Sequence, residues 1–487
     1  MRLSYKTSIL AVLTALAATA CSFAPTDTPP AMPSPAHYGA DAQPLQTVSA
    51  NGVAQRFDLG APPVSQWWRL YGSDELDALV DEGLSNSPSL AAMKKTLGAA
   101  QEELRAQIGA STMPSIDAGA QIERARSPVV PGLGPSTERY NVFVGQIQAQ
   151  YNFDLFGAVR YANKAGAARV NAQAYEVEAA RRALAANIVG TTIRVAALDR
   201  QIAITERLVA VAADTARDDA HRAMLGSASH GQALASERSA AALEASLPPL
   251  RQQRAMAVHT LAVLLGRTPD AAPAVPDLDD LTLPGHVPVV IPAELLRSRP
   301  DVLAADAALK AAAADVGEAT AQLFPSLSLT ASMGRAGFSW PALLSGAGGI
   351  WAIGAAASQP IFHGGALLAH RRAKRDAYEA AVLNYKSTVL SAFQNVADCL
   401  AALDNDAQTL ASTQSEARAA RALFDETSAR YKLGAVPVSL TQSTEQQSLS
   451  AQLDAVRAST QRLSDTAALF QAMGEAPSVT EKVGARE

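Results

Sequence analysis

Three short stretches of this 487-residue chain alternate apolar and polar residues, and long stretches of helical spacing separate them. In the first, Ile116, Ala118, Ala120 and Ile122 alternate with Asp117, Gly119, Gln121 and Glu123. In the second, Phe143, Ile147, Ala149, Tyr151 and Phe153 alternate with Gln146, Gln148, Gln150 and Asn152. In the third, Leu327, Leu329, Ala331 and Met333 alternate with Ser326, Ser328, Thr330 and Ser332. A period of two predicts strands with one apolar and one polar face. A fourth strand is expected at 350–361 by analogy with the second, although Gly354 and the preceding Gly348-Gly349 make it less regular.

The connections repeat as well. Residues 126–138 carry Pro128, Pro131, Gly132, Gly134 and Pro135 and predict a loop between two strands; residues 334–349 play that part later in the chain. Gly157, Gly226, Gly266 and Pro269 recur 208 positions later as Gly365, Gly434, Gly474 and Pro477. Agreement of the whole ordered series marks an internal duplication. In each half, 69 positions separate the first glycine from the second, about 100 Å of helix at 1.5 Å per residue. The flanking segments are shorter, 26 positions from Pro88 to Pro114 and 40 from Gly226 to Gly266. Stacked end to end, they match the long helix and predict an elongated antiparallel pair in each repeat. The expected fold class is α+β, a long antiparallel helical coiled coil with four strands per chain.

Composition sharpens this picture. The chain is 48% hydrophobic but only 5% aromatic, which fits thin-walled helical packing better than a thick globular core. A net charge of −5 offers no footprint for nucleic acid. There is no phosphate loop, zinc motif or nucleophile triad, so no enzyme and no cofactor is expected. The pairs Asp218-Asp219 and Asp279-Asp280 read as solvated surface charge.

Arg2 and Lys6 precede an apolar run at 8–18 and the small residues Ala18-Thr19-Ala20, the pattern of a secretory signal peptide over residues 1–20. Ala18-x-Ala20 suits ordinary signal cleavage; the same cut exposes Cys21 for acylation, the reading favoured here because a lone exposed thiol is reactive in an oxidising compartment. Residues 21–65, rich in Pro, Ala, Thr and Ser, read as an extended arm, with structure starting near Trp67-Trp68. The first repeat is assigned to 66–285, with its hairpin at about 114–153. The second is assigned to 286–476, with its hairpin at 325–361, and 477–487 form a tail. Cys399, inside a helical pattern, reads as a small buried apolar residue.

After the signal segment, no run is long and apolar enough for a membrane helix, so a membrane crossing must use strands. Four two-faced strands cannot close a barrel, and in lipid an open sheet leaves backbone groups unpaired at several kcal/mol each. Closure then requires several copies of the chain.

Particular residues also resemble a known family. The run Ile291-Pro292-Ala293-Glu294-Leu295-Leu296-Arg297-Ser298-Arg299-Pro300-Asp301-Val302, with Phe324-Pro325-Ser326-Leu327 downstream, is similar to the mid-chain segment of the TolC/OprM/NodT-like outer-membrane efflux proteins. So are Gln359-Pro360-Ile361-Phe362-His363-Gly364-Gly365, Phe153-Asp154-Leu155-Phe156-Gly157 and Arg430-Tyr431-Lys432-Leu433-Gly434. The resemblance covers about residues 65–475. It implies a homotrimer with a twelve-stranded barrel, a helical tunnel and an equatorial belt. It further implies docking to a periplasmic adaptor and an inner-membrane pump, most often of the proton-driven RND type, and a lipid anchor on Cys21 in the outer membrane.

By the same resemblance, Gly226 and Gly434 mark the helix tips, and the tip at Gly434 borders the periplasmic aperture. Where the family places a ring carboxylate this chain has Ser443, and where drug-efflux members carry an apolar gate residue it has Ser439. Asp425, Glu426 and Arg430 are candidates to replace the lost charge; Glu426 and Arg430, at i,i+4, also read as a solvated pair. Tyr431 either tethers the tip or packs against it. His221 and His230 flank Gly226 without a third ligand and read as surface histidines. The function these features point to is a passive conduit for small molecules; a protein-secretion duct and a periplasmic structural coiled coil are the alternatives.

Overall fold

The computed structural model describes residues 23–33, 35, 37–39, 44–126 and 139–474. Two helices dominate it, α3 (Ala158–Met224) and α9 (Ala366–Lys432), each of 67 residues and offset by the 208 positions of the repeat. Each is entered through a glycine in the left-handed region, Gly157 (φ 83°) and Gly365 (φ 81°), where other residues are strained. Gly157 has no side chain to cap α3, and Asp154 does so instead: its carboxylate accepts the N–H groups of Val159 at 3.1 Å and Arg160 at 2.9 Å.

Shorter helices lie along these two. Helices α1 (Asp74–Asn86) and α2 (Pro88–Thr112) pack on α3, as do α4 (His230–Glu244) and α5 (Leu247–Leu264). After α6 (Pro292–Ser298), α7 (Pro300–Ala321) packs on both α3 and α9. A one-turn α8 (Trp340–Leu344) lies between two strands. Helix α10 (Val438–Met473) runs along α9 and also touches α3, which joins the repeats. The segment between Gly226 and Gly266, expected as one helix, is two. It breaks at Ala245-Ser246 because Pro248 and Pro249 are compatible only with a first helical turn. Its counterpart α10 lacks such prolines and is continuous over 36 residues.

The core sits near the middle of the long helices. Leu184, Ile188, Val189 and Ile193 of α3 and Tyr385, Val389, Val396 and Leu403 of α9 are buried there with Trp67, Trp68 and Tyr71. Trp67 stacks on Phe470 at 5.4 Å, and the Tyr71 hydroxyl donates to the Leu463 carbonyl at 2.8 Å. Regular structure begins before these tryptophans. Strand β1 (Arg56–Leu59) pairs in parallel with β4 (His286–Val289). That pairing spans more than 200 residues, so no local pattern could reveal it.

The second sheet contains β2 (Ser115–Arg126), β3 (Arg139–Phe153), β5 (Ser326–Gly337) and β6 (Gly349–Ser358), all antiparallel in that order. At 12, 15, 12 and 10 residues, the strands reach or exceed the roughly 9–11 residues with which a tilted strand crosses a membrane. Gly334, expected in a loop, lies inside β5. The following turn is filled by α8, whose N-cap Ser339 accepts from the N–H of Ala342. The strand expected to reach Ile361 stops at Ser358, just ahead of Pro360, which cannot donate to a ladder. Most of the proline- and glycine-rich loop at 126–138 lies outside the described residues.

Candidate functional site: an open sheet and two helix tips

The register of the second sheet places like beside like. Ile147 stands opposite Ala118 on one side and Met333 on the other, and Met333 stands opposite Trp351. Ile116 with Ala149, Ala331 and Ile353, and Ile122 with Phe143, complete the same face. The opposite face carries Gln148 between Asp117 and Ser332, and Gln150 beside Thr330. A one-residue slip would invert every position, so this agreement across four strands is specific. The apolar face is bare: Ile116, Ile122, Met333, Trp351 and Ile353 are each at least 66% exposed. Among the described residues, the outer edges of β2 and β6 have no partner strand. No helix among the described residues is long and apolar enough to cross a membrane.

At the far end of the helices, the tips are built alike. The carbonyl of Arg222 accepts from Ser227 N–H at 2.8 Å, and the carbonyl of Arg430 accepts from Ala435 N–H at 2.9 Å. Gly226 (φ 75°) and Gly434 (φ 72°) supply the left-handed step between them. Asp425 pairs with Arg421 at 3.1 Å, Glu426 pairs with Arg430 at 3.4 Å, and all four side chains are exposed. Tyr431 is 45% exposed, and its carbonyl accepts the N–H of Gly434 at 2.8 Å. Ser439 is half-buried and Ser443 exposed, one turn apart on the start of α10; Gln447 reaches the Ser443 hydroxyl at 3.5 Å.

The residues that fasten this tip were not singled out from the sequence. On one face of α10, Gln442 donates to Asp218 at 2.7 Å, Glu445 accepts from Arg207 at 3.0 Å, and Gln446 donates to Thr215 at 3.4 Å, all on α3. On another face, Thr444 and Thr427 share a buried hydroxyl contact of 2.7 Å between α10 and α9. Asp218 and Asp219 are thus not simple solvated charges. Asp219 is 5% exposed and accepts from Ser236 at 2.5 Å, Gln232 at 3.2 Å and Arg222 at 3.4 Å. The spacing of 442, 445 and 446 was legible as one helix face, but its partner was not. Asp279, by contrast, is exposed. No cluster of three or more His, Cys, Asp or Glu side chains suited to a metal occurs among the described residues. Cys399 is half-buried against the core, where burial first and neighbouring carboxylates second push its thiol up to about 11. Cys21 lies outside the described residues.

A sheet with a bare apolar face and two open edges, carried on a helical shaft about 100 Å long, is the make-up of a β-stranded membrane channel. The family model described as Outer membrane efflux protein matches residues 79–267 and 291–475, and the chain belongs to that family. It is similar to outer membrane protein OprJ of Pseudomonas aeruginosa, 32% identical over 439 residues that cover 87% of this chain and 85% of OprJ. It is also similar to the antibiotic efflux pump outer membrane protein ArpC of Pseudomonas putida, 30% identical over 403 residues and 79% of each chain. A crystal structure of a membrane protein from Pseudomonas aeruginosa superposes with a TM-score of 0.80 at 27% identity, covering 93% of this chain and all of that one. The protein is an outer-membrane channel component of an efflux system, with the α+β, internally duplicated fold of that family.

Proposed function

We propose that this chain is one protomer of a homotrimeric, passive duct that carries small toxic molecules from the periplasm to the exterior. A periplasmic adaptor and a proton-driven RND-type inner-membrane pump load it, and acylated Cys21 anchors it. The register-matched apolar face with two open edges carries this reading. Edge groups in hydrocarbon must be paired, and three copies joined β6 to β2 close a ring that leaves no edge. The polar row of Gln146, Gln148 and Gln150 then faces water inside. Conduction through such a lumen uses no catalytic group and no cofactor; its drive comes from the partners. The antibiotic efflux named for ArpC favours small molecules over secreted proteins as cargo.

The deciding experiment joins assembly to transport. Purified protein is expected to run as a trimer in detergent and to conduct ions in planar bilayers. Deleting the gene is expected to raise cellular accumulation of several compounds in a toxic panel. A monomer that never conducts would overturn the assembly, and unchanged accumulation across the panel would overturn the efflux role.

A further inference from the structure

Phe23, the first described residue, is fixed at the junction of the sheet and the long helices. Its N–H donates to the Tyr161 hydroxyl at 3.0 Å, and its ring stacks on Phe324 at 4.8 Å. Phe324 stacks in turn on Phe156 at 4.9 Å. Tyr161 holds its place because residue 317 is glycine: a Cβ there would come within 2.7 Å of the tyrosine ring. Three and four residues further on, Tyr378 donates to the Thr26 carbonyl at 3.0 Å and Lys164 to Asp27 at 2.7 Å. The arm is therefore fastened to α3 and to α9 at one level of the molecule.

That level has a cavity of about 940 Å³ with an apolar wall of Phe153, Leu155, Phe156, Phe324, Ile361 and Phe362 and a polar wall that includes Asp154 and Gln359. It opens where the apolar sheet face ends. Ile361 is 93% exposed and Phe362 84% exposed in the single chain, an apolar load next to the membrane-facing sheet. Phe156 and Phe324 belong both to the cavity wall and to the stack that seats Phe23. Cys21 precedes Phe23 by two residues, a reach of at most about 7 Å.

We propose that this cavity seats an acyl chain carried by Cys21 of the same chain, with the Phe23–Phe324–Phe156 stack setting where the chain enters. The proposal rests on acylation of Cys21. A lipid held there would cover Ile361 and Phe362 and fix the height of the anchor against the sheet, instead of leaving it on a loose leash.

Photo-cross-linking on the full, detergent-purified protein tests this. The variant Phe362→p-benzoylphenylalanine is irradiated and digested, and its peptides are weighed; Leu155→p-benzoylphenylalanine is a second position should the first fail to assemble. The mass of the N-terminal peptide before irradiation reports acylation by itself. The expected product joins the probe peptide to the acyl group of its own N-terminal peptide. Adding Phe23→Ala is expected to cut that product about tenfold, the worth of one aromatic pair, without changing the acyl mass, while Phe23→Trp retains it. An N-terminal peptide without acyl mass would defeat the anchor reading itself. An acylated peptide with the probe joined to free phospholipid or to a second copy would overturn the seat alone.

Discussion

Gly474 packs directly against the carbonyl of Ser298: a Cβ on Gly474 would lie 2.6 Å from that oxygen. In the first repeat, Gly266 stands in the same relation to the Asn86 carbonyl, also at 2.6 Å. Each pair is a joint where the helix that closes a repeat meets the helix that opened it. Pro88 and Pro300 start their helices immediately beside these carbonyls. At the second joint, Ser298 donates to the Met473 carbonyl at 3.0 Å and Arg299 to the Ala472 carbonyl at 2.8 Å. The end-to-end stacking that lets two short helices match one long helix depends on this close backbone approach.

Gly474→Ala is therefore expected to destabilise the fold by about 2–3 kcal/mol, since the added methyl meets fixed backbone and Gly474 has a φ of 72° and a ψ of 178°. Gly226→Ala is the control. Its φ of 75° is also positive, but nothing lies within 4 Å of the new methyl, and Gly474 carries the added strain of a ψ of 178°. Denaturant midpoints should fall further for Gly474→Ala than for Gly226→Ala. Equal losses would mean that the close approach to Ser298 adds nothing to the cost.

These glycines were legible in the sequence because positive φ is a local demand that only glycine meets cheaply. The strands were legible for a similar reason, since period-two alternation is written in consecutive residues. Pairings across long separations were not. The arm read as featureless because Arg56–Leu59 gains its strand character only from His286–Val289. Asp219 read as surface charge because its donors Gln232 and Ser236 lie on the next helix. Arg462 attracted no notice in a helix full of polar residues, yet among the described residues it is the largest fully buried side chain.

Arg462 clamps the arm to α10. Its guanidinium donates to Gln55 at 3.0 Å and to Thr47 at 2.9 Å, and it approaches the carbonyls of Val53 at 3.4 Å and Ala50 at 3.5 Å. Arg462→Met is expected to cost about 3 kcal/mol, because those acceptors stay buried without a donor. Limited proteolysis should then cut within residues 47–55 before any other described segment. Arg462→Lys should recover little, since one ammonium cannot reproduce the planar fork. A variant as resistant as the parent would mean that the arm is held by its other contacts.

Near this clamp, Asp406 of α9 faces Asp465 of α10. Burial first, and then the hydrogen bond and charge of Asp465, push the Asp406 carboxyl up to about 7 against the pull of Arg462. The folded protein therefore retains a proton that the unfolded chain releases from its ordinary value of 3.8 upward. Stability contributed by this group falls as pH rises from about 4 to about 7 and is level above that. Asp406→Asn keeps the shape and supplies a permanent donor, so it should remove the slope. The thermal midpoint of the variant is expected to exceed that of the parent by roughly 3–5 °C at pH 8, and the gap should close as the pH falls to about 4. Parallel pH profiles would show that solvent, not Asp465, governs Asp406.

Ser443 offers a direct reading of the aperture. Gln442, Glu445 and Gln446 turn toward α3 and Thr444 toward α9, which leaves Ser443 on a side of α10 that neither helix covers. If three copies bring that side to the axis, Ser443→Asp adds three carboxylates to a narrow ring. The reversal potential in planar bilayers under a salt gradient is expected to move toward that of the cation. The effect should weaken as salt rises from 0.1 M, where screening acts over about 10 Å, to 1 M, where it acts over about 3 Å. Glu416→Gln, exposed and about 16 Å up α9 from the level where Thr427 meets Thr444, should leave selectivity unchanged. A Ser443→Asp channel with the selectivity of the parent at low salt would place this position outside the pore and move the search to Asp425 and Glu426.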